Sequence, residues 1–278
     1  MVRKLIPYKV NGMISEDLSF GKSKHKVPCY NDIDEEQPPK FEWVEECIID
    51  KEIQDSIVSR GFEYLVGCTC KDNCTPINSN CSCLNEMNKT YGYDSNKRII
   101  VPVGTVIYEC NMKCHCSINC KNRVVQKGSQ YKFEVFKTVD RGWGVRSPQK
   151  ISKGTFVCEY TGQIIDNQKA EELGIKYDAQ RCSYLFDLDV ESNNEDCLTI
   201  DAMNYGNIAR FFNHSCSPNL QNYSIFTNHW DKRRPQIAFF ATRDILPYEE
   251  LTFDYKYKKD KCLIPCSCDS PLCKIWLL

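Results

Sequence analysis

No stretch of this 278-residue chain is apolar for long enough to cross a membrane as a helix. The amino terminus, Met1-Val2-Arg3-Lys4-Leu5-Ile6-Pro7, lacks the apolar run of a secretory signal. Net charge is nearly absent too, with 36 Lys and Arg against 37 Asp and Glu. Without an overall positive field nothing drives direct nucleic-acid binding, so Lys22 to Lys26 and Lys256 to Lys261 read as solvated basic surface. These absences lead us to expect an intracellular globular protein with neither a membrane nor a nucleic acid as its direct partner.

Cysteine, by contrast, is abundant. The count of 19 is odd and high, and in a chain without a secretory signal it points to thiolate metal ligands before disulfides. Nine fall in two clusters: Cys68, Cys70, Cys74, Cys81 and Cys83, then Cys110, Cys114, Cys116 and Cys120. Two separate four-thiolate sites would leave one ligand over, whereas three tetrahedral zinc ions are filled if three thiolates bridge and six are terminal. The tight Cys-x-Cys spacing favours shared ligands as well. With almost no apolar residues in the first cluster, metal must hold the segment together, and chelation is expected to unfold it. His115 is left out of the ligand set because the thiolates complete the count.

The run from Arg210 to Asn219 brings an amide, an imidazole and a thiol into one short segment. Ile208, Phe211 and Phe212 can anchor it in a core, and Ser217-Pro218-Asn219 bends the chain away. Taken alone, it also reads as a buried helix end with a capping Asn and a structural Cys. Near the carboxyl end, Cys266, Cys268 and Cys273 supply three thiolates of a tetrahedral site. The best-placed fourth ligand is Cys216.

In chain order, residues 1–40 read as an arm or linker. Residues 41–66 hold two strands, one opened by Phe41, Trp43 and Val44 and one closing at Phe62 to Val66. The cysteine clusters occupy 67–125. Beyond them come short β-like runs at Phe133 to Phe136, Phe156 to Tyr160, Tyr184 to Asp189, Ile237 to Ala241 and Leu251 to Tyr255. Only Gln168 to Leu173 and Tyr205 to Phe212 look helical, so the fold class is mostly β with short helices.

Arg141-Gly142-Trp143-Gly144-Val145, Glu159-Tyr160-Thr161-Gly162, Tyr184-Leu185-Phe186-Asp187, Arg210 to Asn219, and Glu250 to Tyr255 resemble, in order, the motifs of the SET-domain lysine methyltransferases. The flanking cysteines resemble the pre-SET and post-SET segments of the heterochromatin enzymes that act on lysine 9 of histone H3. The resemblance spans Phe41 to Leu278. It departs at Gln163, where the family usually has an acidic residue, and at Lys274-Ile275, where it usually has Arg-Gly. It implies small sheets around a pseudoknot-like core over 126–257, between a triangular three-zinc pre-SET cluster and a one-zinc post-SET tail at 258–278.

The resemblance further implies S-adenosylmethionine as methyl donor, held by Arg141, Gly142, Trp143, Tyr177, Arg210, Asn213 and His214, with Trp276 and Leu277 closing over the adenine. His214 would also belong to the catalytic group. Four structural zinc ions are implied, none with an open position for Lewis-acid chemistry. Tyr160, Phe253 and Tyr255 would line a narrow channel for the lysine stem, with the Tyr255 hydroxyl near the reacting nitrogen. A strand tyrosine with a satisfied hydroxyl is the other reading of Tyr255. Phe253, where tyrosine would restrict the volume, implies di- and trimethylation. Tyr184, Phe186, Asp187 and Asp189 would receive the histone H3 tail as an added strand, although these acids also suit a solvated strand edge. A nuclear, chromatin-bound and monomeric catalytic unit acting with recruitment factors in heterochromatin silencing completes the expectation. The alternatives are a zinc-stabilised SET scaffold that binds chromatin without turnover, and a methyltransferase for a nonhistone protein.

Overall fold

The computed structural model describes residues 12–59, 66–75, 81–179, 184–188, 197–229, 231–256, 264–274 and 276–277. Among them no helix is long and apolar enough to cross a membrane. Short strands dominate, and the run Gln236–Ala241 illustrates why. It is apolar beyond its first residue and buried at five of six positions, as a strand between packed layers must be. It pairs antiparallel with Leu220–Phe226 on one side and with Phe156–Tyr160 on the other. Ile107–Tyr108 adds to the outer edge of Leu220–Phe226 in parallel, joining the cysteine-rich region to this sheet.

A second sheet runs in the order Leu185–Asp187, Leu198–Asp201, Gln163–Asp166, Ile48–Ile49. Gly162 precedes it because a Cβ there would sit 2.4 Å from the Asp201 carbonyl oxygen. In the third sheet, Met13–Ser15 and Cys29–Tyr30 extend the hairpin of Glu134–Lys137 and Trp143–Arg146. That hairpin turns at Gly142, whose φ of +63° favours glycine. Residues from the expected arm therefore form part of a sheet.

Three small pairs complete the architecture. Glu42–Trp43 lies parallel to Tyr205–Gly206, and Ile264–Pro265 pairs antiparallel with Trp276–Leu277. The third is the pseudoknot-like crossing, where Asn213–His214 runs parallel to Thr252–Phe253 in the register Asn213↔Thr252 and His214↔Phe253. The main apolar core, including Trp43, Val145, Ile200, Phe212, Phe239 and Phe253, lies beneath this crossing. A separate core in the cysteine region consists of the nine thiols and Leu84, so sulfur takes the place of hydrocarbon there.

Helical content departs from expectation at several places, among them the short turns Ser82–Asn85 and Val125–Lys127 in the cysteine region. Lys51–Ser59 is a helix within a segment read as strands; Glu52 in its first turn suits the helix dipole. The expected helix at Gln168 runs over Asn167–Ala179. The expected helix over Tyr205 to Phe212 divides into the strand Tyr205–Gly206 and a single 3-10 turn, Ile208–Phe211. Asn207 causes the division, because its side chain accepts from Ala209 N and donates to the Glu159 carbonyl. The second strand expected to close near Val66 falls at 62–65, outside the described residues.

Candidate active site and metal centres

All nine cysteines of the amino-terminal clusters are buried. The sulfurs of Cys68, Cys70, Cys74 and Cys81 lie within 4.8 Å of one another, as do those of Cys68, Cys83, Cys110 and Cys114, and those of Cys68, Cys74, Cys110 and Cys116. Cys68, Cys74 and Cys110 recur between groups, and their sulfurs approach to 3.5 Å (Cys68 to Cys74) and 3.3 Å (Cys74 to Cys110). The Cys120 sulfur accepts the Cys74 N–H at 3.4 Å. The donor set thus has three central thiols and six outer ones, the chemistry that three tetrahedral zinc ions with shared thiolates require.

Thiolates outweigh the charge of three dications, so donors around them matter. Cys114 Sγ accepts the N–H groups of Cys68 (3.3 Å) and Asn111 (3.2 Å), and the Arg123 guanidinium reaches Cys116 Sγ at 3.5 Å. The neighbouring Cys110 and Cys83 sulfurs, with these backbone donors, hold the Cys114 thiol well below its ordinary range against the effect of burial.

The second metal-ligand group joins distant parts of the chain. The sulfurs of Cys216, Cys266, Cys268 and Cys273 lie within 4.8 Å of one another. Lys274 docks beside them, its N–H 3.4 Å from Cys216 Sγ and its Nζ 3.8 Å from Asp254 Oδ2. The unusual residue after the last cysteine thus has its own attachment. Gln163, the other departure, donates to Asp50 Oδ1 at 2.8 Å.

Above Cys216, Arg141, Gly142, Trp143, Asn213 and His214 converge, and Glu250 links them. Glu250 Oε2 pairs with Arg141 Nη2 at 2.8 Å, and Oε1 accepts Asn213 Nδ2 at 2.9 Å. Asn213 Nδ2 also reaches the Trp143 carbonyl at 3.1 Å. Glu250 is the residue that sequence reasoning missed. It stands in a motif that was recognised, but its partners are over 35 positions away in sequence, and no local pattern signals them.

Tyr177 and Arg210 gather on a neighbouring flank. Tyr177 donates to Asp201 Oδ2 at 2.9 Å. The Arg210 guanidinium lies between the rings of Phe41 (4.3 Å) and Tyr184 (4.4 Å) and donates to the Ala202 and Met203 carbonyls. Its Nη1 and the Trp143 Nε1 are buried without a hydrogen-bond partner among the described residues. Such donors cost free energy unless a ligand meets them, and a hydrogen-bonding cofactor that carries a carboxylate would fit. Trp276 and Leu277 form a described strand, but their side chains lie outside the described part, as does all of Asp189.

The aromatic side chains form a continuous wall. Tyr160 meets Phe186 at 5.3 Å, Phe186 stacks on Phe253 at 6.3 Å, and Phe253 meets Tyr255 at 4.8 Å between centroids. The Tyr160 hydroxyl donates to the Tyr184 carbonyl at 2.8 Å. Burial pushes its ionisation well above the ordinary range, so the phenol stays neutral. Beside this wall, Leu185–Asp187 is the outermost strand of its sheet, with Asp187 exposed and held by Thr199 Oγ1 at 3.0 Å.

Comparison with known proteins agrees with this arrangement. The SET domain family matches residues 142–256 and the Pre-SET motif matches residues 19–123. The chain is 45% identical over 250 residues to the zebrafish (Danio rerio) histone-lysine N-methyltransferase SUV39H1-A, covering 88% of this chain and 58% of that protein. It is 38% identical over 272 residues to the Schizosaccharomyces pombe histone-lysine N-methyltransferase, H3 lysine-9 specific, covering 91% of this chain and 55% of that one. The chain thus spans little more than half the length of these relatives. Among solved structures, the Neurospora SET domain protein DIM-5, a histone lysine methyltransferase, is 33% identical with a TM-score of 0.72, covering 86% of this chain and 100% of that one. KRYPTONITE, solved with methylated DNA, an H3(1-15) peptide and SAH, is 29% identical with a TM-score of 0.78, covering 98% and 55%.

Proposed function

The chain belongs to the SET-domain family with a Pre-SET segment, and from that premise we propose that it is a histone-lysine N-methyltransferase acting on lysine 9 of histone H3. The observation that carries the reading is the register His214↔Phe253, which joins the cofactor-side bend to the aromatic wall. S-adenosylmethionine, when bound, supplies a methyl group on a positively charged sulfur. Arg141, Gly142, Trp143, Asn213 and His214 would hold its body, and Arg210 Nη1, buried without a partner among the described residues, would meet its carboxylate.

The lysine substrate arrives as an ammonium ion with an ordinary pKa of about 10.4, and presenting its free amine near neutral pH costs roughly 4 kcal/mol. Tyr160, Phe186, Phe253 and Tyr255 would desolvate the stem, which disfavours the charged form. With the Tyr255 proton donated to the Phe212 carbonyl at 2.7 Å, what this oxygen offers a further partner is a lone pair. It would orient the amine, and the remaining rate would come from alignment.

Leu185–Asp187 would accept the basic tail as an extra strand, with Asp187 giving charge complementarity. Di- and trimethylation, a nuclear chromatin location, recruitment factors and action as a monomer in heterochromatin silencing belong to the same reading. The test is incubation with labelled S-adenosylmethionine and H3 tail peptides, analysed by mass spectrometry. Methyl groups are expected on Lys9 and absent when that lysine is replaced by arginine. Tight peptide binding without transfer would instead mark a binding module.

A further inference from the structure

We infer that His214 is a positioning residue that joins the zinc-binding tail to Tyr255 by donating a hydrogen bond to the Cys216 sulfur while accepting one from the Tyr255 backbone. The inference rests on the reading that Cys216, Cys266, Cys268 and Cys273 share one structural zinc. The ring is 8% exposed. Its Nδ1 lies 3.2 Å from the Tyr255 nitrogen, and a backbone N–H only donates. Nδ1 is therefore the acceptor, and the ring proton sits on Nε2. Nε2 lies 3.4 Å from Cys216 Sγ.

The surroundings agree with this tautomer. Asp254 Oδ1 approaches Nδ1 only to 3.7 Å, beyond hydrogen-bond reach. That carboxylate is engaged elsewhere, by Lys256 N at 3.0 Å and Lys274 Nζ at 3.8 Å. Cys216 receives a second donor, the Lys274 N–H at 3.4 Å. Cys216 is the ligand contributed by the SET core, the other three coming from the tail. Donors on a ligating sulfur orient it and moderate its charge, and losing one typically costs 10- to 100-fold in metal affinity. Tyr255 packs edge-on against the same ring at 5.4 Å. One imidazole thus braces both the core's metal ligand and the backbone of the channel tyrosine, through two separate hydrogen bonds.

Two variants separate the roles. His214→Asn keeps an acceptor near the Nδ1 position and loses the donor to sulfur; His214→Gln keeps a donor near the Nε2 position and loses the acceptor. The readouts are zinc release to a chelator and the cadmium-113 resonances of the cadmium-loaded protein, neither of which depends on methyl transfer. The Asn variant is expected to hold one zinc per chain about 10-fold more weakly than wild type and so to yield it to the chelator sooner, with only the tail resonance displaced. The Gln variant should match wild type in both. Unchanged release and resonance in the Asn variant, or equal changes in the two variants, would overturn the proposal. Nitrogen-15 spectra of the unaltered protein decide the matter even if a variant does not fold: a His214 proton on Nε2 is expected, and one on Nδ1 would refute it. A protein that passes these tests yet transfers no methyl group would disprove the transferase reading alone.

Discussion

The hydroxyl of Tyr255 donates to the main-chain oxygen of Phe212 at 2.7 Å. That bond ties the channel tyrosine to the residue preceding the Asn213–His214 bend, so channel and cofactor side share one anchor. Tyr255→Phe removes the oxygen and keeps the ring. Methyl transfer is expected to fall about 100-fold, the scale of deleting one aligned polar group. Stability should fall only by the ~1 kcal/mol of one hydrogen bond. Single-turnover kinetics beside a thermal melt distinguish the two effects, and transfer at the wild-type rate would remove Tyr255 from the mechanism.

Phe253 lies 4.8 Å from both Phe239 and Tyr255 between centroids, with no slack behind it. In Phe253→Tyr the new hydroxyl would project into the channel and hold a water there, leaving less room for a methylated amine. Monomethyl-lysine should replace di- and trimethyl-lysine as the main product in a mass spectrum of the peptide. Trimethylation at the wild-type level would contradict the volume argument.

Central and outer thiolates of the cysteine core should fail differently. Cys74, in contact with both Cys68 and Cys110, would serve two metals, whereas Cys70 belongs to one group. Cys74→Ser should therefore lose at least two zinc ions per chain, and Cys70→Ser one, by elemental analysis. Chelation should unfold the segment, because its core is sulfur. Equal losses in the two variants would argue against shared ligands.

Stability should fall as pH rises from weakly acidic to weakly basic. Burial raises the Glu159 carboxyl from 4.5 to about 8, opposed by the Gln236 hydrogen bond and reinforced by repulsion from Glu109, Glu46 and Glu45. Between those values the native protein retains a proton that the unfolded chain releases. The contribution is complete below 4.5 and disappears as pH passes through about 8. Melting temperatures across that range should decline in wild type and decline less in Glu159→Gln. Parallel curves would show that this carboxyl does not titrate as described.

The metal centres were legible in the sequence because ligation demands a residue type: Cys216, Cys266, Cys268 and Cys273 were grouped by counting, and their sulfurs are in fact close. The β-rich core was legible from short apolar runs such as Ile237 to Ala241. Glu250 was not, since its role arises where Arg141 and Asn213 meet in space. Arg210 shows the same limit, because the stacking of its guanidinium on Phe41 and Tyr184 depends on a long-range approach. The helix Lys51–Ser59 escaped notice although Ile53, Ile57 and Val58 recur at helical spacing, because nine residues between strand-like runs make too short a window to set them apart.

The account depends on a common ion clasping the Asn213–His214 bend to the cysteine tail, and Cys216→Ser tests it directly. Zinc content and methyl transfer to an H3 peptide should be measured on the same preparation. The expected result is loss of the tail zinc together with transfer, the nine-thiolate cluster keeping its metal. Full transfer from a protein that lacks the tail zinc would contradict the account.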